Sequence, residues 1–330
     1  MRIKIDLSLC PYSHLSGICC LIPFTSWEAQ IFPAKIFFHN LSGKESWEQS
    51  LPIEGPIRGF TVILDLERSR IAVSGRGKRG FFRFFLSHEG IAFAKGGEIT
   101  LPFSKSESFP KVRERLSLGI HKKQDWELVC RRGLMSEVFP FWIALAQQVP
   151  HSSVPKTPVG NFSLLSHEVE KGNVVSHFQT LFQTGFVGIL SPRILDETYQ
   201  GILADEEVPA GVSPLGIIHE GARQIRALFF RETGGQIALL SALPKEFHAG
   251  RYVHLQSSFG DQFDIEWSKK EIKKVVITPG STRDLLLSLQ RGIRSFRVRK
   301  SPRQKGERVS RDTPLSLREG EKLYLDRFQH

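Results

Sequence analysis

The N-terminal third alternates hydrophobic and polar positions with the two-residue period of strands. Ile3, Ile5, Leu7 and Leu9 interleave with Lys4, Asp6 and Ser8, which predicts a half-buried strand ended by Pro11. Short apolar runs follow at 19–24, 29–38, 58–66, 70–73, 80–86 and 91–94. Turn formers separate them: Gly43, Gly55 with Pro56, a Gly75-Arg76-Gly77 tip, Gly90, and Gly96 with Gly97. Many short strands at this spacing predict a β-sandwich over residues 1–110.

Beyond Pro110 the period lengthens. Trp126, Val129, Cys130, Leu134, Val138, Phe141, Leu145 and Val149 recur at three- and four-residue spacing, predicting a helix over 124–149 that Pro140 kinks or divides. The Pro- and Ser-rich stretch 150–158 reads as a linker. Helical patterns resume at 174–190, after Pro192, and at 214–230, with Pro214 suited to a first turn and Gly234-Gly235 to a stop. Strands return at 236–240, 252–256, 263–267, 273–277, 295–299 and 322–326. The expected class is α+β and β-rich. It comprises an N-terminal β-sandwich, a reduced helical middle region over 111–235, and a C-terminal β-domain over 236–330.

Composition is that of a globular chain of 330 residues, 40% hydrophobic and 24% charged, long enough for two or three domains. The 25 Phe against 4 Tyr favour core packing, since Phe buries without needing a hydrogen-bond partner. A net charge of +11 favours anionic partners. Much of it lies between Arg291 and Arg311, where no aromatic residue interleaves Arg297, Arg299, Lys300, Arg303 and Lys305. That weighs against nucleic acid while leaving it open. Cys10, Cys19, Cys20 and Cys130 fit neither a metal clip nor a disulfide framework, so no metal or other cofactor is expected. Residues 11–14 interrupt any apolar run that could act as a signal core, and no stretch reaches membrane-spanning length. A cytoplasmic location is the expectation.

The segment 235–244, Gly-Gln-Ile-Ala-Leu-Leu-Ser-Ala-Leu-Pro, is followed by Gly250, Leu255, Gly260 and the alternating strand of Phe263, Ile265 and Trp267. It resembles the closing segment of inverting α-L-fucosidases and related (α/α)-barrel glycoside hydrolases. In that family the last barrel helix leads into a G-x-I-x-L-L-P-A-L-P strand and turn. Ser241 replaces the first proline. The resemblance covers residues 214–280 and implies that the 214–230 helix is the last barrel helix, packed on a strand-rich domain that buries Leu239, Leu243, Phe263, Ile265 and Trp267.

Two departures from the family pattern bear on activity. A twelve-helix barrel at about 11 residues per helix plus connections needs well over 200 residues, and the middle region has room for four or five helices. The family's Asp-Gly-Asn-Phe-Gly-Gly motif falls on residues 216–221, where only Gly221 fits and Gly216 stands in place of the catalytic aspartate.

Candidate chemistry remains in three places. Glu220 beside His219, and the acidic triplet Asp205, Glu206 and Glu207, could supply the protonated and ionised carboxyls of a glycosidase; the triplet reads equally as a solvated loop. Trp126 with His121 and Asp125 could stack on and bond a sugar, or Trp126 could be core with Asp125 a helix cap. The expected function is a carbohydrate-associated, non-catalytic protein that binds glycan or scaffolds a protein partner. The alternatives are a reduced but active glycosidase and a basic polyanion- or nucleic-acid-binding module.

Overall fold

Strand pairing dominates the computed structural model, which describes residues 3–6, 8–103, 109–110, 112–119, 135–151, 178, 182, 186, 189–191 and 213–330. Ten strands come first: β1 (Tyr12–Ser13), β2 (Ile18–Leu21), β3 (Trp27–Ile31), β4 (Lys35–Asn40), β5 (Ser46–Ser50), β6 (Arg58–Asp65), β7 (Arg70–Gly77), β8 (Gly80–Ser87), β9 (Gly90–Phe93) and β10 (Glu98–Thr100). They form a six-stranded sheet, β1-β6-β7-β8-β9-β10, and a four-stranded sheet, β2-β3-β4-β5, both antiparallel throughout. The inward residues of both, among them Ala29, Ile31, Ile36 and Phe38 from one and Val62, Leu64, Val73, Phe84 and Leu86 from the other, join one hydrophobic cluster. This is the sandwich-like arrangement that alternation predicts.

Three local expectations are corrected. Residues 3–6 and 8–10 are not strand; Ile3 is instead buried against Val253 and Val276. The apolar run 29–38 is not one strand but the β3–β4 hairpin, broken at Pro33, with Ile31 opposite Ile36. Gly75 and Gly77 lie within β7, and the hairpin tip is Lys78-Arg79, with Gly77 opposite Gly80.

The middle and C-terminal elements are β11 (Arg115–Gly119), α1 (Met135–Ala146), α2 (Pro214–Phe229), β12 (Phe230–Thr233), β13 (Gln236–Leu239), β14 (Ala249–Gln256), β15 (Gln262–Ser268), β16 (Glu271–Thr278), β17 (Arg283–Ser288), β18 (Ser295–Arg299), β19 (Glu307–Ser310), β20 (Leu315–Leu317) and β21 (Leu323–Gln329). A seven-stranded sheet runs β11-β14-β15-β16-β21-β18-β19, and a four-stranded one β12-β13-β17-β20, in which β13 and β17 are parallel. β11 lies within the stretch read as helical and pairs antiparallel with β14, tying the middle of the chain to the C-terminal sheet. Pro140 does not divide its helix: α1 is continuous across it, and nine of its twelve residues are buried, as suits a helix enclosed on most sides.

Ser213 caps α2, its hydroxyl accepting from the Leu215 amide, with Pro214 in the first turn. The helix passes directly into β12, so Gly234-Gly235 is not its stop. Both glycines have positive φ, 56° and 80°, and form the two-residue turn of the β12–β13 hairpin.

Leu239, Phe263, Ile265 and Trp267 are buried as expected and Leu243 is partly buried; full burial of such side chains contributes roughly 1.5–3 kcal/mol each. Trp267 packs on Phe229, at the end of α2, with ring centroids 5.4 Å apart, and its indole N–H donates to the Phe247 carbonyl at 3.1 Å. A Cβ on Gly250, directly opposite in β14, would lie 2.3 Å from that indole. The Phe-rich composition is also accounted for: Phe178, Phe182 and Phe186, at four-residue spacing, crowd around Trp142 in the core.

Among the described residues no helix is long and apolar enough to cross a membrane.

Candidate functional site

Where α1, α2, the chain entering β11 and the end of β14 converge, they leave a cleft of about 390 Å³. Phe109, Val112, Ile143, Val149 and Ala222 give it apolar walls, and Glu114, Gln147, His151, His219, Arg223, Arg226 and Gln256 give it polar ones. Apolar walls with a few convergent polar groups are the usual makeup of a small-molecule site.

Glu114 organises one side. Both of its carboxylate oxygens accept from Arg226 Nε at 3.0 Å, one also accepts from the Tyr252 hydroxyl at 3.0 Å, and the other from the Gln256 amide at 3.2 Å. Gln147 holds its backbone, accepting from the Glu114 amide at 2.7 Å and donating to its carbonyl at 3.0 Å. Arg226 also reaches the Gln256 carbonyl and lies 4.6 Å from the centre of the Phe230 ring. Burial, together with the Glu114 charge, pushes the Tyr252 hydroxyl well above its ordinary range, so it is a fixed donor.

His219 lies on the other side. Its Nε2 is 3.1 Å from the Val149 carbonyl and 2.9 Å from that of Pro150; since both are acceptors, Nε2 carries the proton and Nδ1 the lone pair. His151 stacks on it at 4.1 Å with the rings 15° apart, face to face rather than converging on a metal. Burial, reinforced by His151, lowers the His219 pKa against the opposing effect of the two carbonyls.

Glu220 points to the adjoining surface. Arg223 Nε donates to it at 2.8 Å and Arg223 Nη2 at 2.5 Å, and Gln224 donates at 2.9 Å. Burial raises its carboxyl pKa, but the hydrogen bonds from Arg223 and Gln224 outweigh that and leave it below the ordinary value. An ionised, arginine-held carboxylate accepts hydrogen bonds; it is poorly suited to the general acid's part.

His219 and Glu220 are thus brought to one region, although only His219 lines the cleft. Asp205, Glu206, Glu207, His121, Asp125, Trp126 and Cys130 lie outside the described residues. Sequence reading missed Glu114, Gln147, His151, Arg226, Tyr252 and Gln256. Their contacts span up to 138 residues, and none sits in a local motif. Among the described residues no cluster of His, Cys, Asp or Glu could hold a metal ion. Burial pushes the Cys19 thiol up to about 12 and Cys20 well above its ordinary value, so neither is poised as a nucleophile.

The basic stretch is largely engaged with its own chain. Arg297 binds Asp326 through two bonds of 2.7 and 2.9 Å, Arg299 meets the same carboxylate at 2.5 Å, and Lys300 pairs with Glu321 at 3.2 Å.

A pH prediction follows from His219 and Glu220. Below His219's ordinary value of 6.5 the unfolded chain takes up a proton that the folded chain refuses, so the His219 contribution is constant above that pH and stability falls as pH drops toward the lowered folded value. Glu220 adds a second loss below its ordinary 4.5. Urea midpoints across both windows are expected to show His219→Gln removing part of the upper loss and leaving the lower one. An unchanged upper loss in the variant would contradict a buried neutral imidazole.

No family model matches the chain, and no curated protein does.

Proposed function

We propose that this chain is a non-catalytic, carbohydrate-associated binding protein, descended from a glycosidase-like ancestor, whose cleft receives a small hydroxyl-rich ligand. One observation carries the reading: the carboxylates in and beside the cleft are each gripped by an arginine, Glu220 by two N–H donors of Arg223 and Glu114 by the Nε–H of Arg226 shared between its oxygens. Inverting hydrolysis needs one protonated and one ionised carboxyl roughly 6.5–9.5 Å apart with a water between them. Carboxylates fixed by arginine hold and orient hydroxyls. Apolar walls suit the C–H face of a sugar ring, while the Nδ1 of His219 and the exposed guanidinium of Arg223 suit its hydroxyls. The buried Leu239, Phe263, Ile265 and Trp267, at positions the fucosidase resemblance implies as strand core, support the ancestry.

The test pairs activity with binding. The protein is expected to hydrolyse neither α-fucosides nor other aryl glycosides above background. Without the family's aspartate at Gly216, a general-base factor of roughly 100- to 10,000-fold is missing. A glycan array is expected to show retention that Arg223→Ala weakens. Turnover abolished by Glu220→Gln or Asp205→Asn, with folding intact, would replace this reading by an active glycosidase. An array blank for wild type would remove the ligand class.

A further inference from the structure

We infer that the outward face of the six-stranded sheet binds single-stranded nucleic acid, with Phe81 and Tyr12 as base-stacking rings and Arg58, Arg76 and Arg83 as phosphate contacts. This goes beyond the cleft and uses none of its residues.

Register places these residues on one face. Tyr12 stands opposite Ile63, Ile63 opposite Ala72, Ala72 opposite Phe85, and Phe85 opposite Ala92. The next row is Thr61, Ser74 and Arg83, and the third is Arg58, Arg76 and Phe81. Alternation turns Val62, Val73 and Phe84 inward, so these three rows face out. Phe81 is 54% and Tyr12 45% exposed, half of the exposed large hydrophobic residues in the described chain.

The chemistry favours one class of occupant. Arg58, Arg76 and Arg83 are exposed, and among the described residues no carboxylate pairs with any of them, unlike Arg297 and Arg299. Arg70 and Arg83 lie over the Phe85 ring at 3.8 and 5.1 Å, so Phe85 holds two guanidiniums against this face. Between them Ala72 and Ser74 are small, while His14 Nδ1 lies 3.1 Å from the Thr61 hydroxyl and its ring 5.5 Å from that of Tyr12. Phe81 and Phe85, four residues apart on one strand, are about 13 Å apart, and Tyr12 lies about 14 Å from Phe85 across three strand spacings. A polyanion without rings would need the arginines alone, and a protein partner would meet an apolar patch interrupted by charge in two of the three rows. Unstacked bases on a negative backbone use both features, which a duplex with its bases stacked inside does not.

The experiment measures fluorescence anisotropy of the full chain with a labelled oligo(dT) of about 20 nucleotides, long enough for one stacking platform. The same strand as a duplex, and heparin as a polyanion without bases, serve as competitors. The single strand is expected to bind best and to weaken with salt. Phe81→Ala is expected to cost about 10-fold in affinity, and Arg76→Ala with Arg83→Ala to reduce the salt slope by about 1.4, or 0.7 per lost phosphate contact. Phe81→Trp, at the same exposed site, is expected to retain binding and lose tryptophan fluorescence when the strand is added. Absence of binding, or binding untouched by Phe81→Ala and by the arginine pair, would overturn the inference. So would heparin competing as well as the strand, or a duplex binding more tightly.

Discussion

Asp261→Ala is expected to destabilise the protein by roughly 3–5 kcal/mol, as breaking one side of a buried ion pair does. Asp261 has 0% exposure and meets Arg283, whose side chain is itself 16% exposed. The carboxylate also accepts from the Ser257 hydroxyl at 3.1 Å and the Gly280 amide at 2.9 Å, tying the loop between β14 and β15 to the loop after β16. The two loops touch so closely that a Cβ on Gly280 would meet the Gly260 carbonyl oxygen at 2.4 Å. Removing the carboxylate strands a mostly buried guanidinium and an amide together. Because Gln256 sits at the start of this loop and bonds Glu114, the loss is also expected to loosen one wall of the cleft. Urea denaturation of wild type, Asp261→Ala and Arg283→Ala, completed by the double variant, measures the pair. A single-variant loss below about 1 kcal/mol, the worth of a surface pair, would show that Asp261 does not organise these loops.

Trp142→Ala is expected to cost a similar amount, about 3–5 kcal/mol, through the cavity it leaves. Trp142 is fully buried on α1 and donates its indole N–H to the Ile218 carbonyl of α2 at 2.7 Å. It also fills the space over Gly221, where a Cβ would lie 2.1 Å from its ring. Gly221→Ala therefore sets a helix-propensity gain of about 1 kcal/mol against overpacking of about 1–3 kcal/mol, with net destabilisation expected. The two helices carry Ile143 and Ala146 on one wall of the cleft and His219 and Ala222 on another, so both substitutions are expected to shift the pH response of His219 as well as the urea midpoint. Wild-type stability in Gly221→Ala would mean that the helices separate freely.

The class of structure and the elements with strong local signals are readable from the residues alone. Phe263, Ile265 and Trp267 alternate with Asp264 and Glu266, and they form β15 with the apolar set inward. The three- to four-residue period after Ser213 and Pro214 became α2, since its cap and first turn are encoded within a few neighbouring residues. Local signals failed where a strand depends on a neighbour. The alternation of Ile3, Ile5 and Leu9 forms no ladder, only the Leu9 carbonyl accepting from the Leu66 amide at 3.3 Å, and an apolar run such as 29–38 does not say where it folds back. β5, β17, β19 and β20 were not legible, and β17 is held partly by its parallel pairing with β13, where Leu286 stands opposite Gln236, 50 positions earlier.

The sites were decided almost entirely by tertiary structure. His219 and Glu220 were visible as residue types, but the partners that set their chemistry were not. Val149 and Pro150 lie about 70 residues from His219, and Glu114 lies 112 residues from Arg226. Arg76, Phe81 and Arg83 are close in sequence, yet whether they share a face depends on strand register, and one residue of slip would send them inward. Charge shows the same division. Composition gives +11, but only the fold reveals that Arg297 and Arg299 are spent on Asp326 while Arg58, Arg76 and Arg83 face solvent beside bare rings. Periodicity is a property of neighbours along the chain, and it builds elements. Chemistry at a site is a property of neighbours in space, and those are chosen by how the sheets pair and the helices pack.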